Sequence, residues 1–136
     1  MKKNKLRILA QEWFDKANED LRLAQHLCKK KIFPSPICLH AHQAVEKYLK
    51  GFLVWHGHDI KDEFKTHNLK KLYQFACTLD ARIDENEQVK ESCLILNRYY
   101  IGARYPADMP EYPWEDVVEA VHAAEKVEEA VVKLIS

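Results

Sequence analysis

The sequence predicts an all-α fold, an antiparallel up-and-down bundle of about five helices. Only 3 glycines and 5 prolines occur in 136 residues, so few turns interrupt the chain. Apolar side chains recur every three or four residues over long stretches, which is the period of an amphipathic helix. The breaks between these stretches are short, and short connections favour antiparallel neighbours within one domain that covers residues 1–136.

The first two helices are predicted from about Leu6 to Lys30 and from the break at positions 33–36 to about Trp55. For the second helix, Ser35 is the expected N-cap and Pro36 the expected first helical residue, since both residue types are favoured there. We expect the second helix to stop where Gly57 follows His56.

Three further helices follow, with the third beginning after the capping sequence Thr66-His67-Asn68. The fourth is predicted from about Glu85 to Gly102. The segment 105–113 contains three prolines and cannot be helical. The fifth helix is expected to start at Pro113-Trp114, where the acidic residues at positions 115 and 116 suit the amino end of a helix.

The composition excludes several classes of protein. No apolar run approaches the roughly 18 residues that span a bilayer, and no signal sequence follows the basic start, so we expect a cytoplasmic protein with no membrane partner. None of the four cysteines forms a Cys-x-x-Cys pair, which favours buried thiols in a reducing compartment. The chain lacks a glycine-rich phosphate loop, a nucleophile elbow and an HExxH motif, and we expect no cofactor.

The histidines do not predict a metal centre. His40 and His42 are two residues apart on a predicted helix, so their side chains point roughly 200° apart and cannot chelate one ion. His56 and His58 flank a turn, but the sequence places no further ligands beside them. We therefore assign no metal-binding residues.

Charge is unevenly distributed along a chain whose formal net charge is zero. Residues 1–71 contain 15 Lys and Arg against 8 Asp and Glu, whereas residues 72–136 contain 6 against 13. The two halves can pack together and neutralise each other, or the basic half can present a face to a small anionic ligand.

A polar stripe follows one side of the second helix, with four candidate site residues: His42, Gln43, Glu46 and Lys50. Glu46 is four residues from both His42 and Lys50, so these side chains are neighbours on the helix surface. The stripe is either a solvated face or a polar pocket where this helix meets another one.

A second set of candidates lies near the end of the fourth helix and comprises Asn97, Arg98, Arg104 and Tyr105. A guanidinium group forms paired hydrogen bonds to phosphate oxygens and stacks on flat rings, so the arginines and the tyrosine are candidates to bind phosphate and base. The alternative is an internal clamp from arginine to an acidic helix, for example near Glu111 or Asp116.

Four segments of the chain form a set: Trp13-Phe14-x-x-Ala17-x-x-Asp20-Leu21-x-x-Ala24, His42-Gln43-Ala44-Val45-Glu46-Lys47-Tyr48-Leu49-Lys50, Thr66-His67-Asn68-Leu69-x-x-Leu72 and Ala103-Arg104-Tyr105-Pro106-x-Asp108. Together they resemble the HEPN family of helical domains. They occur in the order expected for the family and span nearly the whole chain. The resemblance implies a helical bundle, a homodimer, and a partner nucleotidyltransferase in a toxin–antitoxin-like pair.

Some HEPN proteins that the chain resembles are metal-independent ribonucleases, and others are thought to bind nucleotides. The ribonucleases carry an arginine followed after four to six residues by a histidine, and neither Arg98 nor Arg104 is followed by one. Arginine stays protonated and cannot act as a base, whereas metal-free RNA cleavage needs a group that moves protons near neutral pH. His42 or His67 would have to substitute.

These observations leave three hypotheses. The first is a HEPN-like domain that binds a nucleotide or a nucleotidyltransferase partner with little or no catalysis. The second is a ribonuclease toxin with a displaced histidine, whose catalytic residues the sequence does not identify. The third is a structural partner domain in which both arginines are buried in internal pairs.

Overall fold

The computed structural model describes residues 2–60, 64–99 and 111–136, and these residues form six α-helices and no β-strand. The helices are α1 (Lys2–Lys30), α2 (Pro34–Trp55), α3 (Leu69–Leu79), α4 (Ala81–Asp84), α5 (Glu87–Asn97) and α6 (Trp114–Ile135). The all-α prediction is confirmed. The additional helix is α4, a single turn between α3 and α5. Within the described ranges, no helix is both long and apolar enough to cross a membrane.

The central helix is α2, which packs against α1, α3, α5 and α6. It runs antiparallel to α1, since Trp13 contacts Lys50 near the end of α2 and Asp20 contacts His40 near its start. Arg98, which caps the end of α5, contacts the first half of α6. We call this the Arg98 end of the bundle, and we call the opposite end, where α1 starts and α2 stops, the Trp55 end.

One hydrophobic core joins α1, α2, α3, α5 and α6. Of the 22 residues of α2, 14 are buried, so this helix is covered on nearly every side. A helix that is buried all round is usually apolar all round. Three of the buried residues of α2 are nevertheless His42, Glu46 and Lys50, and they mark the interior of the candidate site.

Two predicted helix starts are confirmed. Asn68 caps α3, with its side-chain oxygen accepting a hydrogen bond from the backbone N–H of Lys71 at 3.3 Å. The last helix begins at Trp114, directly after Pro113. In both places the residue before the helix acts locally, since the Asn68 side chain satisfies one free N–H group of α3 and the ring of Pro113 fixes φ at the N-cap of α6.

Two other predicted boundaries are wrong. α2 begins at Pro34, and its N-cap is Phe33 with φ 57°, not Ser35. The first of the two prolines already has the φ of a first helical position, so the helix starts there. α5 begins after Asn86, whose side chain caps it, and ends at Asn97, earlier than the predicted Gly102. Positions 100–102 lie outside the described residues.

Candidate functional site

A cluster of buried polar side chains connects α2 with the start of α3. Glu46 accepts hydrogen bonds from Lys50 Nζ at 2.9 Å and from His67 Nδ1 at 2.8 Å. His42 Nε2 donates to the backbone carbonyl oxygen of His67 at 3.0 Å. Only 0%, 8% and 6% of His42, Glu46 and Lys50 are exposed, so the solvated-face interpretation is wrong for these three residues. Gln43, the fourth residue of the stripe, is partly buried.

The polar stripe faces neighbouring elements, as a polar pocket between helices requires. Lys50 Nζ lies 5.8 Å from the ring centroid of Trp13 on α1, a cation–π contact in a partly desolvated setting. Burial lowers the pKa of His42 below its ordinary value of 6.5, although the nearby carboxylate of Glu46 opposes this shift. The imidazole of His42 is therefore neutral at neutral pH, and it lies beside the ion pair of Glu46 and Lys50.

The lowered pKa of His42 predicts that stability decreases on acidification. Below about pH 6.5 the unfolded chain protonates this imidazole more readily than the folded chain does, so the free energy of unfolding falls by at most about 1.4 kcal/mol per pH unit per group. The pKa of His56 is also lowered by burial and acts in the same direction. Urea unfolding between about pH 7.5 and 5.5 should show a smaller loss for His42→Gln than for the wild-type protein.

The control for this experiment is His122→Gln, which removes an exposed imidazole from α6. This variant keeps the buried imidazole of His42, so it should still show the loss of stability that His42 causes. An identical pH dependence for His42→Gln and wild type would contradict the assignment.

Asn97 joins the end of α5 to the start of α3. Its Oδ1 accepts a hydrogen bond from the backbone N–H of Leu69 at 2.8 Å, and its Nδ2 donates to Asn68 Oδ1 at 3.2 Å. The N–H of Leu69 belongs to the first turn of α3 and has no partner within that helix. Asn97 therefore fixes the residue that follows it, Arg98, relative to the polar cluster.

Arg98 lies on the surface and reaches towards α6. Its Nη2 donates to Glu119 Oε1 at 3.0 Å, and its guanidinium carbon lies 5.3 Å from the ring centroid of Tyr99. The side chains of Arg98 and Glu119 are 56% and 49% exposed, and ion pairs this exposed contribute about 0–1 kcal/mol. The clamp to an acidic helix, one of the two alternatives, is present, but its partner is Glu119 and not Glu111 or Asp116. Arg104 and Tyr105 lie outside the described residues.

The pairing of His67 with Glu46 is not evident from the sequence. The side chain of His67 is 54% exposed, and its Nδ1 faces the carboxylate of Glu46. A carboxylate at one ring nitrogen sets the tautomer and orientation of an imidazole. The pattern Thr66-His67-Asn68 indicates helix capping, and nothing in the local sequence indicates a partner 21 residues away.

A second buried carboxylate lies between α1 and α2. Asp20 accepts hydrogen bonds from His40 Nδ1 at 2.9 Å and Lys47 Nζ at 2.5 Å.

In the described part of the chain, no three His, Cys, Asp or Glu side chains are grouped so that they could hold a metal ion. All four cysteines are free thiols, and burial raises the pKa of Cys38 to about 12.

Comparison with protein-family models gives a match to the HEPN domain over residues 10–135. The chain belongs to the HEPN domain family. No functionally curated protein matches this HEPN chain.

Two solved structures share the fold of this HEPN protein. TT1696 from Thermus thermophilus is 28% identical and superimposes with a TM-score of 0.72, covering 91% of this chain and 96% of that chain. ST0689, an archaeal HEPN homologue, is 21% identical with a TM-score of 0.69, covering 93% of this chain and 98% of that chain. The second likeness shows the fold alone.

Proposed function

We propose that this HEPN protein binds a phosphate-bearing ligand, a nucleotide or RNA, at the Arg98 end and has little or no catalysis of its own. The proposal rests on the exposure of Arg98. Its guanidinium lies at the surface, and its described ion pair, with Glu119, is exposed as well. A phosphate group can replace such a weak partner, because charge-assisted paired hydrogen bonds from arginine to phosphate are stronger than a solvated ion pair.

The surroundings of Arg98 support this proposal. Asn97 is bonded to the start of α3, so Arg98 is presented from a fixed point of the bundle, and less conformational freedom is lost on binding. Arg104 and Tyr105 are proposed as further phosphate and base contacts, on the basis of their sequence pattern. The proposed biological context is a homodimer that acts with a minimal nucleotidyltransferase in a toxin–antitoxin-like pair, as the family resemblance implies.

A thermal-shift titration with ATP, GTP and a short RNA tests the proposal. A ligand at 100 times its dissociation constant stabilises the folded protein by about 2.7 kcal/mol, which should raise the melting temperature by roughly 5–15 °C. Arg98→Gln should remove the increase that ATP or GTP produces. Arg82→Gln removes a comparably exposed, carboxylate-paired arginine from α4 at the opposite end, so it should keep the increase. An unchanged shift in Arg98→Gln, or no shift with any of the three ligands, would contradict phosphate binding at this arginine.

The pairing of Glu46 with His67 favours a second candidate, a metal-independent ribonuclease. His67 is exposed, oriented by a carboxylate, and two residues before Leu69, the position to which Asn97 bonds. An imidazole there could transfer protons while Arg98 stabilises phosphate charge. RNA incubated with folded protein in EDTA decides between the candidates. Cleavage that is lost in His67→Ala and kept in His122→Ala would establish the ribonuclease, and intact RNA would leave the binding function.

A further inference from the structure

A second basic and aromatic surface lies at the Trp55 end, and the function proposed for Arg98 does not use it. A groove of about 570 Å³ runs between the first turns of α1 and the end of α2. Within it, the guanidinium carbon of Arg7 lies 4.3 Å from the ring centroid of Trp55. The groove is lined by Lys3, Leu6, Arg7, Trp55, His56 and Gly57.

The cations of this groove are available to an anion. Lys3 and Arg7 are exposed, and no carboxylate of the described residues lies within 4 Å of their charged groups. Three lysines further along the seam are each paired with a carboxylate, Lys16 with Glu19, Lys47 with Asp20 and Lys50 with Glu46. Uncancelled cations that line a concave surface raise the local concentration of anions.

The aromatic side chains continue along the seam between α1 and α2. A second groove of about 500 Å³ is lined by Trp13 together with Leu9, Glu12, Lys16 and Lys47. Trp13 Cβ lies 3.0 Å from the position that a Cβ atom would occupy at Gly51. Gly51 precedes Trp55 by four residues, which is about 6 Å along the helix axis, so the two indoles line successive grooves.

We propose that single-stranded nucleic acid binds along this seam, with its phosphates at Lys3 and Arg7 and its bases stacked on Trp55 and Trp13. Indole rings and guanidinium planes accept bases of any identity, and a basic groove follows the backbone of the strand. An acidic amphipathic helix fits less well, because such a helix needs a continuous apolar floor and charged side chains, Glu12 among them, interrupt the apolar lining of the two grooves.

Fluorescence anisotropy of a labelled oligouridine of about ten nucleotides tests this inference at about 50 mM salt. Two phosphate contacts predict that log K falls with log salt with a slope of roughly −1.4. The double variant Lys3→Gln/Arg7→Gln should lose most of that slope. Trp55→Leu should weaken binding roughly 5- to 150-fold, the range expected for loss of one stacked base. Circular dichroism must show that Trp55→Leu is folded, and the double variant changes only exposed side chains.

Two controls separate this surface from other basic residues. Lys126→Gln removes an exposed lysine from α6 and should leave binding unchanged. Lys90→Gln removes an exposed lysine from α5, outside both grooves, and should also retain oligouridine binding.

Three results would overturn the inference. The first is no binding of oligouridine by the wild-type protein. The second is binding that survives in the Lys3→Gln/Arg7→Gln variant but is lost in Arg98→Gln, which would place the strand at the Arg98 end. The third is tighter binding of poly-glutamate with the same dependence on Lys3 and Arg7, which would assign the groove to an acidic polypeptide.

Discussion

Replacing Glu46 with alanine should destabilise the protein by about 3–5 kcal/mol. The carboxylate is almost fully buried and accepts hydrogen bonds from Lys50 Nζ at 2.9 Å and His67 Nδ1 at 2.8 Å. Without it, the ammonium group of Lys50, itself only 6% exposed, is left without its ion-pair partner. Breaking a buried pair on one side is costly because an uncompensated charge remains away from water. Urea unfolding at neutral pH measures the loss.

Two comparisons test whether this loss comes from the charge of Lys50 that loses its ion-pair partner. In the exposed pair of Lys16 and Glu19, whose side chains are 69% and 68% exposed, Glu19→Ala should change stability by no more than about 1 kcal/mol. The double variant Glu46→Met/Lys50→Met replaces the buried pair with apolar side chains of similar size and should recover most of the stability. A double variant as unstable as Glu46→Ala would contradict this explanation.

The same double variant tests whether the polar cluster takes part in nucleotide binding. A folded protein without the Glu46–Lys50 pair leaves His67 without its carboxylate partner but keeps Arg98 and Asn97 in place. If nucleotide binding persists in this variant, the polar cluster has a structural role in the bundle and does not bind the ligand. Nucleotide binding that disappears would make the cluster part of the ligand site.

Helices and their caps are predictable where the information is local. The apolar period of residues 6–30 predicts α1, and the Asn68 cap of α3 depends on a hydrogen bond to Lys71, three residues away. The short helix α4 is not predictable in this way, because four residues are too few to show a period. The prediction of Ser35 as an N-cap is wrong because two prolines, two residues apart, both fit the start of a helix.

The contacts that build the candidate site could not be read from the sequence, because they join distant positions. Asn97 caps α3 from 28 residues away, and Glu46 reaches His67 across 21 residues. The polar stripe of α2 is visible in the sequence, but its burial follows from packing against α1 and the start of α3. A periodic pattern shows which side of a helix is apolar, and it does not show whether the polar side is also covered.

Gly51→Leu should also destabilise the protein strongly, by about 3 kcal/mol or more, because α1 and α2 approach each other closely there. A Cβ added at Gly51 would lie 2.5 Å from Phe14 Cε1 and 3.0 Å from Trp13 Cβ, so the two helices would have to move apart. The displaced region includes the contact of Trp13 with Lys50 and the seam that forms the two grooves. Chemical denaturation should therefore show a lower unfolding midpoint, and tryptophan fluorescence should report a changed environment for Trp13.

Gly57→Leu is the matched control for this clash. Gly57 has φ 95°, and a Cβ added there meets no atom within 4 Å, so the leucine introduces backbone strain without overpacking. A left-handed conformation costs a residue other than glycine about 1–2 kcal/mol, which is less than the loss expected at Gly51. If Gly57→Leu were the more destabilising variant, or if Gly51→Leu were neutral, the close approach of the two helices would not control stability. A larger loss at Gly51 would instead show that the missing side chain sets the distance between α1 and α2, and hence the geometry of the Trp13–Trp55 seam.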